Sequence, residues 1–397
     1  MIYNTEYLQQ EINRNQGKDS PNDIHTLLEA VISQAGTDAS SNAIRIITEA
    51  FSPLRLKLAE HMKLDNVLFL FGNGVSMYAG SKDTRAFKLD DYKAAYGDLD
   101  SIIDAASKLN GVEEQLNALI TARAYYHIVK DETKEQELEK LIENVKKHLI
   151  DAFVNSVDYS KLTLHDVFLR KLRSFGCLQR TSIYTPNYDL AFEYSLDKLG
   201  IEYKDGFSGF VNRSFDPRTL QGKDKTALVK IHGSVNWVLS DDKVKEIQPK
   251  IKDGKVEIDD TVPVLIYPTS NKLYQTYSSP YSELMRHMLD EMETGRNVII
   301  VMGYKYGDDH INEILYKALR NPRNIFYFFL FGENIDGGFV GSIKALTESM
   351  PNVNLLMGEV LADFKVFVQY MLPATPEMTD QEKVIDLLQK VLVENAG

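Results

Sequence analysis

Four short motifs hold the residues of this chain that are best suited to chemistry. They are GNGVSMYAG (residues 72–80), TPNYDLAFE (185–193), KIHGSVNW (230–237) and GYKYGDDHIN (303–312). They supply a glycine loop, an Asn/Asp pair, a histidine and a second glycine turn. Together these are the parts needed to hold a dinucleotide and to attack it.

Each motif follows or ends an apolar run that predicts a buried strand. The runs are NVLFLF (66–71), TSIY (181–184), TALVKI (226–231) and NVIIVM (297–302). Residues at the carboxyl ends of parallel strands line the ligand crevice of an open α/β sheet. We therefore expect the four motifs to form one site.

The first motif places Gly72, Gly74 and Gly80 around Ser76. Glycines after a strand let the backbone approach a phosphate, and the N-terminus of a following helix supplies N–H donors. We predict that Gly72, Asn73, Gly74 and Ser76 bind the dinucleotide; the alternative is a tight turn that only requires positive φ. A hydride-transfer dehydrogenase fits poorly, because no strand-like run precedes the acidic residues about 20 positions further on.

The second and third motifs supply the predicted catalytic residues, which are Asn187, Asp189 and His232. Asn187 and Asp189 stand between a strand and a helix, so they either cap the helix or point into a shared crevice while Tyr188 packs behind. His232 ends a strand and precedes Gly233. An imidazole there is suited to take a proton near neutral pH.

The fourth motif supplies further predicted dinucleotide-binding residues, which are Gly303, Tyr304, Asp309 and Asn312. Gly303 permits a close backbone approach. Asp309 and Asn312 begin a helix, so they either cap it or bond a ribose or an adenine. We expect Asp308 at the surface or at the helix cap.

The pattern of the whole chain predicts an α/β fold with a Rossmann-like, doubly wound parallel sheet, because strands alternate with helices. We expect a helical N-terminal segment at 1–65 and a catalytic domain at 66–372 that carries a helical insertion at about 91–171. A linker and an amphipathic helix follow at 373–397; this helix either packs on its own core or contacts a partner. Further strands are predicted at 262–267, 325–331 and 353–357.

Composition excludes several classes of protein. The net charge of −12 argues against direct binding of nucleic acid, which requires a basic patch. The single cysteine, Cys177, cannot form an internal disulfide or a four-cysteine zinc site, so no metal is expected. No apolar run approaches the roughly 20 residues of a membrane span. The polar residues 1–20 lack the apolar region of a signal peptide, so a cytoplasmic location is expected.

Taken together, the motifs resemble those of the sirtuin family. The family patterns G-x-G-x-S-x-x-x-G, N-x-D and H-G stand at 72–80, 187–189 and 232–233. The resemblance spans roughly 66–331 and is greatest to a bacterial sirtuin-like branch with T-x-N-Y-D, K-x-H-G-S-x-N-W and G-Y-x-x-G-D-x-H-I-N. Asn73 replaces the alanine that is common in the family's G-A-G.

This resemblance implies a sirtuin-like fold and NAD⁺ as a substrate that is hydrolysed to ADP-ribose and nicotinamide. In the branch concerned, that activity depletes NAD⁺ during antiphage defence. A HerA-type hexameric ATPase is the implied partner, because no second recognisable domain is fused in this chain. A homo-oligomer is also expected, because a defence enzyme must be held inactive until triggered and assembly can gate its crevice. The alternatives are a sensor that binds NAD⁺ or ADP-ribose without turnover, and an NAD⁺-dependent protein deacylase. The deacylase is disfavoured because its zinc ribbon needs four cysteines.

The chemistry implied by this resemblance needs few protein groups. Nicotinamide is already a cationic leaving group in NAD⁺, so cleavage needs no general acid, unlike ordinary glycoside hydrolysis. Asn187 is predicted to position the ribose or the attacking water, and His232 to act as the general base. Asp189 is predicted to orient the site or the nicotinamide amide.

Overall fold

The computed structural model describes residues 1–16, 24, 26–27, 38–82, 87–109, 111–241, 243–257, 279–332 and 338–374. Two segments predicted from the sequence lie outside these ranges. They are the strand at 262–267 and the C-terminal amphipathic helix that begins at Thr379.

The strands of the described residues are short and mostly buried. They are β1 (Ile2–Tyr3), β2 (Asn66–Phe71), β3 (Thr181–Thr185), β4 (Tyr203–Lys204), β5 (Phe207–Ser208), β6 (Arg213–Phe215), β7 (Thr226–Lys230), β8 (Trp237–Ser240), β9 (Lys243–Glu246), β10 (Lys250–Lys252), β11 (Lys255–Glu257), β12 (Asn297–Met302), β13 (Ile325–Leu330) and β14 (Val353–Met357).

The α-helices of the same residues fill the connections. They are α1 (Thr5–Gln16), α2 (Asp38–Ala50), α3 (Ser52–His61), α4 (Asp100–Ser107), α5 (Gly111–Val129), α6 (Glu132–Ile150), α7 (Thr163–Ser174), α8 (Ala191–Lys198), α9 (Tyr281–Glu293), α10 (Asp309–Ala318), α11 (Gly338–Ser349) and α12 (Phe364–Val366).

A parallel sheet of eight strands forms the centre, in the order β1-β14-β13-β12-β2-β3-β7-β4. Along β2, Phe69 and Phe71 face one hydrophobic cluster, whereas Leu68 and Leu70 face another. Helices cover both faces, and a strand buried on both faces is apolar at nearly every position. This explains the uninterrupted apolar runs and confirms the predicted α/β class.

The N-terminal segment contains the expected helices and also a strand that its sequence does not reveal. β1 has only two residues, and it pairs in parallel with β14 through Ile2 and Leu355. The N-terminal amine donates to Val353 O over 2.6 Å. The beginning of the chain therefore forms one edge of the sheet.

The segment between β2 and β3 is helical, as its pattern predicts. Its helices build a separate hydrophobic cluster around Leu99, Leu116, Leu138 and Leu149. Tyr188, from the second motif, packs partly buried against this cluster. The insertion thus lies behind the loop that carries Asn187 and Asp189.

A second, antiparallel sheet follows β4 in the order β5-β6-β9-β8. β10 and β11 form a hairpin whose turn residues Asp253 and Gly254 both have positive φ. No helix within the described ranges is both long and apolar enough to span a bilayer.

Candidate active site

The four motifs meet because their strands are neighbours. β12, β2, β3 and β7 stand side by side in the sheet and all run parallel, so their carboxyl ends share one edge. Each motif begins at or just beyond one of those ends. The structure therefore places the glycine loop, the Asn/Asp pair, the histidine and the second glycine turn along a single edge.

The two glycine segments pack backbone against backbone. Gly74 N donates to Gly303 O over 2.9 Å, and Gly72 N donates to Met302 O over 3.0 Å. A Cβ atom at Gly72 would lie 2.5 Å from Gly303 O, and one at Gly74 would lie 2.7 Å from Gly303 Cα. Gly303 itself has a φ of +67°. These glycines are thus required for the contact between the two loops, whatever else they bind.

The loop after β2 differs from the predicted one, because no long helix starts there. Two short 3₁₀ helices follow instead, Asn73–Val75 and Met77–Ala79. Asn73 Nδ2 donates to Lys82 O over 2.8 Å, and the Ser81 hydroxyl donates to Asn73 Oδ1. The prediction that an α-helix begins directly after this loop is therefore wrong. The Asn73 side chain instead joins the two ends of the loop.

Gly72→Ala is expected to lower the free energy of unfolding by about 1–3 kcal/mol, because the new methyl group overlaps backbone that cannot move freely. Urea unfolding of both proteins measures the change. Gly97→Ala is the matched control, since no atom of the described residues lies within 4 Å of that Cβ position. Equal losses in the two variants would contradict the importance of the loop contact.

Asn187 faces the glycine loop and does not cap a helix. Its Nδ2 donates to Gly72 O over 3.2 Å, and its backbone N–H donates to Thr185 Oγ1 over 3.0 Å. The Thr185 hydroxyl donates in turn to Phe71 O over 2.7 Å. The end of β3 is thereby tied to the end of β2, and Asn187 is held at the shared edge.

Asp189 lies beneath this edge in a buried group of charges. Its Oδ1 accepts from Ala191 N over 3.0 Å in the turn that leads into α8, whereas the N-cap position itself is Leu190, so Asp189 is not the helix cap. The Lys230 ammonium donates to Asp189 O and lies 3.1 Å from Glu193 Oε1. Burial raises the pKa of the Asp189 carboxyl, whereas Lys230, the Ala191 N–H and the Ser76 hydroxyl oppose that rise.

Lys230 is a site component that the sequence prediction missed. Its side chain is 3% exposed, and it ends an otherwise apolar strand. A lysine in such a run signals a buried partner, because an unpaired cation is costly to bury. Here the partner is Glu193, from the second motif. Burial raises the pKa of the Glu193 carboxyl, and the Lys230 ammonium opposes that rise.

His232 faces Asp308 across the edge. Their Nε2 and Oδ2 atoms are 3.2 Å apart, and the two side chains are 9% and 7% exposed. The contact has the distance of an ion pair, but its angles are not those of a hydrogen bond. Asp308 also caps α10, because its Oδ1 accepts from His310 N and Ile311 N over 3.0 and 3.2 Å.

The helix cap was one of the two positions expected for Asp308, whereas its contact with His232 was not predicted. One sequence signal could have indicated this contact. An acidic residue at a helix cap, in the motif that follows β12, belongs to the same set of motifs as a histidine. A cap needs only one carboxylate oxygen, which leaves the other for a different contact.

The remaining residues of the fourth motif shape its turn. Tyr304 Oη accepts from Asp308 N over 3.1 Å and lies 3.2 Å from Asn312 Oδ1. Asn312 Nδ2 donates to Tyr306 O over 2.8 Å. Asp309 is exposed as the first residue of α10, so neither it nor Asn312 is the cap.

A concave region of about 540 Å³ lies away from these residues. It is lined by residues around β4, among them Tyr203, Asp205 and Arg213, and by Lys225 just before β7. It therefore lies toward the amino end of β7, opposite the motifs. Within the described part of the chain, no group of three or more His, Cys, Asp or Glu side chains is arranged to hold a metal ion.

Comparisons with known proteins give a weak structural likeness and one family match. A structure described as "The Structural basis for Sirtuin Substrate affinity" is 11% identical, with a TM-score of 0.36, covering 78% of this chain and 94% of that one. A mutant Sir2 with a p53 peptide and NAD is 12% identical, with a TM-score of 0.37, covering 79% and 97%. No curated protein sequence matches the chain. Residues 181–337, which contain three of the four motifs, match the family model of a SIR2-like domain.

Proposed function

We propose that this protein hydrolyses NAD⁺ to nicotinamide and ADP-ribose. The observation that carries the proposal is that Asn187 and His232 follow the neighbouring strands β3 and β7 at the same edge of the sheet, where Asn187 bonds the glycine loop. The SIR2-like match of residues 181–337 and the resemblance of all four motifs to sirtuins support NAD⁺ as the substrate.

In the proposed reaction the bond between ribose C1′ and the nicotinamide nitrogen breaks. Its electron pair stays on the nicotinamide nitrogen and neutralises the ring, so no general acid is needed. A water molecule attacks C1′ and gives its proton to His232. Asn187 positions the ribose or this water, and Asp189 orients the site from the turn just before α8.

The rest of the dinucleotide is assigned to the two glycine segments. Gly72, Asn73, Gly74 and Ser76 are proposed to bind the pyrophosphate. The residues proposed for the adenosine half are Gly303, Tyr304, Asp309 and Asn312. Asp309 is the exposed member of this second set and is thus accessible to a ligand.

Incubation of the purified protein with NAD⁺ tests the proposal. We expect chromatography to show nicotinamide and ADP-ribose accumulating together over time, with the protein alone or with its partner. If calorimetry shows that NAD⁺ binds but no nicotinamide is released, either with or without the partner, the protein is instead a sensor that binds NAD⁺ without turnover. Release that requires an acyl-lysine peptide and yields acylated ADP-ribose would indicate the deacylase.

We further propose that the reaction serves antiphage defence and is controlled by assembly into a homo-oligomer with a HerA-type hexameric ATPase. Two features support an assembly. The chain contains an apolar stripe at Val384, Leu387, Leu388, Val391 and Leu392 after a proline-containing linker. The helical insertion carries exposed apolar side chains on α5, where Tyr125 is 59% and Ile128 is 76% exposed.

Deletion of residues 379–397 is expected to lower the mass of the assembly in light scattering, because it removes the apolar stripe. The full chain is measured at the same concentration, with and without the ATPase. An unchanged mass would mean that the C-terminal helix packs on its own core. A full chain that stays monomeric in both conditions would contradict the assembly itself.

A further inference from the structure

We infer that Asp308 is a positioning residue that holds the imidazole of His232 through Nε2 and leaves Nδ1 as the nitrogen that takes the proton. The inference deepens the proposed function, since it rests on the role of His232 as the base. It starts from the 3.2 Å separation of His232 Nε2 and Asp308 Oδ2.

The two residues come from strands that are not adjacent. β7 precedes His232 and β12 precedes Asp308, and β2 and β3 stand between them in the sheet. The turn after Gly303 must therefore reach across the ends of two strands to bring the carboxylate to the imidazole. Strand pairing does not fix the position of Asp308 in such a long turn. Hydrogen bonds within the turn and with the start of α10 must fix it instead.

Those internal contacts hold Asp308 at several points. Its Oδ1 is fixed by two backbone N–H groups of α10, from His310 and Ile311. Its backbone N–H donates to Tyr304 Oη over 3.1 Å, and Tyr304 Oη is also 3.1 Å from Asp308 O. The direction of Oδ2 toward His232 is consequently set before any ligand binds.

A carboxylate in this position selects one form of the ring. A neutral imidazole has one N–H and one lone pair, and a carboxylate oxygen accepts but does not donate. Facing Asp308 therefore favours the tautomer with the proton on Nε2, and the lone pair is then on Nδ1. Because both side chains are less than a tenth exposed, water competes little for this contact. The contact has the distance but not the angles of a hydrogen bond here. Contacts of catalytic groups are commonly misaligned without substrate and tighten in the complex.

Asp308→Asn tests the inference, because asparagine keeps an oxygen for the cap but presents an N–H₂ donor to His232. A donor there favours the opposite tautomer, with the proton on Nδ1. We expect kcat for NAD⁺ cleavage to fall by about 10²- to 10⁴-fold, with a much smaller change in KM. Asp131→Asn is the matched control, since Asp131 caps α6 through Lys134 N over 3.1 Å and lies on another element.

A second readout does not depend on turnover. The ¹⁵N spectrum of the full-length, histidine-labelled protein at alkaline pH reports the tautomer of each of its eight histidines, and His232→Gln identifies the signal. We expect the Nε2–H form in the wild type and in Asp131→Asn, and its loss in Asp308→Asn. Asp308→Ser, which keeps a capping oxygen, should also lose this preference; it replaces Asp308→Asn if that variant does not fold.

The outcomes separate this inference from the proposed function. If the protein shows the expected tautomers but never cleaves NAD⁺, then Asp308 positions His232 as inferred and the proposed hydrolase activity is rejected. If the wild type cleaves NAD⁺ and Asp308→Asn keeps both the tautomer of His232 and the kcat of the wild type, the inferred role of Asp308 is wrong.

Discussion

His232→Ala is expected to lower kcat for NAD⁺ cleavage by about two to four orders of magnitude, the usual cost of losing a positioned base. The imidazole follows β7 at the edge shared with β2, β3 and β12. Because it lies beyond the end of β7 and takes no part in the pairing of that strand, the fold should persist. The experiment compares two quantities between the variant and the wild type. They are the initial rate of nicotinamide release and the melting temperature of the same preparation.

His127→Ala is the matched control for this experiment. His127 is 74% exposed on α5, where it pairs with Glu135, so its loss should leave the rate unchanged. Asn187→Ala should resemble His232→Ala in rate, because the amide that bonds Gly72 O is removed. If both site variants melt like the wild type and retain full activity, the catalytic assignment is wrong.

Lys230→Met is expected to lower the free energy of unfolding by about 3 kcal/mol near neutral pH. Removing one partner of a buried ion pair leaves the other charge uncompensated, which typically costs about 3–5 kcal/mol. We expect the lower end of that range, because the Glu193 side chain keeps 15% of its exposure to solvent. Urea unfolding at a fixed pH measures the loss.

The loss should depend on pH in a defined direction. The pKa of Glu193 is raised in the folded state above its ordinary 4.5, so its charged form opposes folding as the pH rises above that value. Without Lys230 this pKa should rise further. The destabilisation by Lys230→Met should therefore grow as the pH increases through the raised folded-state pKa of Glu193 and shrink as the pH falls below it.

A double variant gives the decisive comparison. Adding Glu193→Gln to Lys230→Met removes the uncompensated carboxylate, so the pair should be less destabilised than the sum of the two single variants. Strict additivity, or a loss that does not change with pH, would show that the contact of Lys230 with Glu193 contributes little. Asp189 would then be the carboxylate to test next, since the charge of Lys230 also opposes the rise in the pKa of its carboxyl.

Much of the fold was predictable because local sequence carries the reason for it. The runs at 66–71 and 297–302 match β2 and β12 residue for residue, since strands covered on both faces are mostly apolar. The helical pattern of the insertion and the capping role of Asp308 are equally local. The two-residue β1 could not be predicted, because so short a strand has no periodicity.

The sequence by itself determined which residues stand at the ends of β2, β3, β7 and β12, because each end follows directly from an apolar run and the polar motif after it. Only the tertiary structure decided that these four strands are neighbours, that Gly72 packs on Gly303, and that Lys230 meets Glu193. The pairing of His232 with Asp308 is of the same kind. Strand order and the path of the turns set such contacts, and they join residues too far apart in the chain for any local pattern to record.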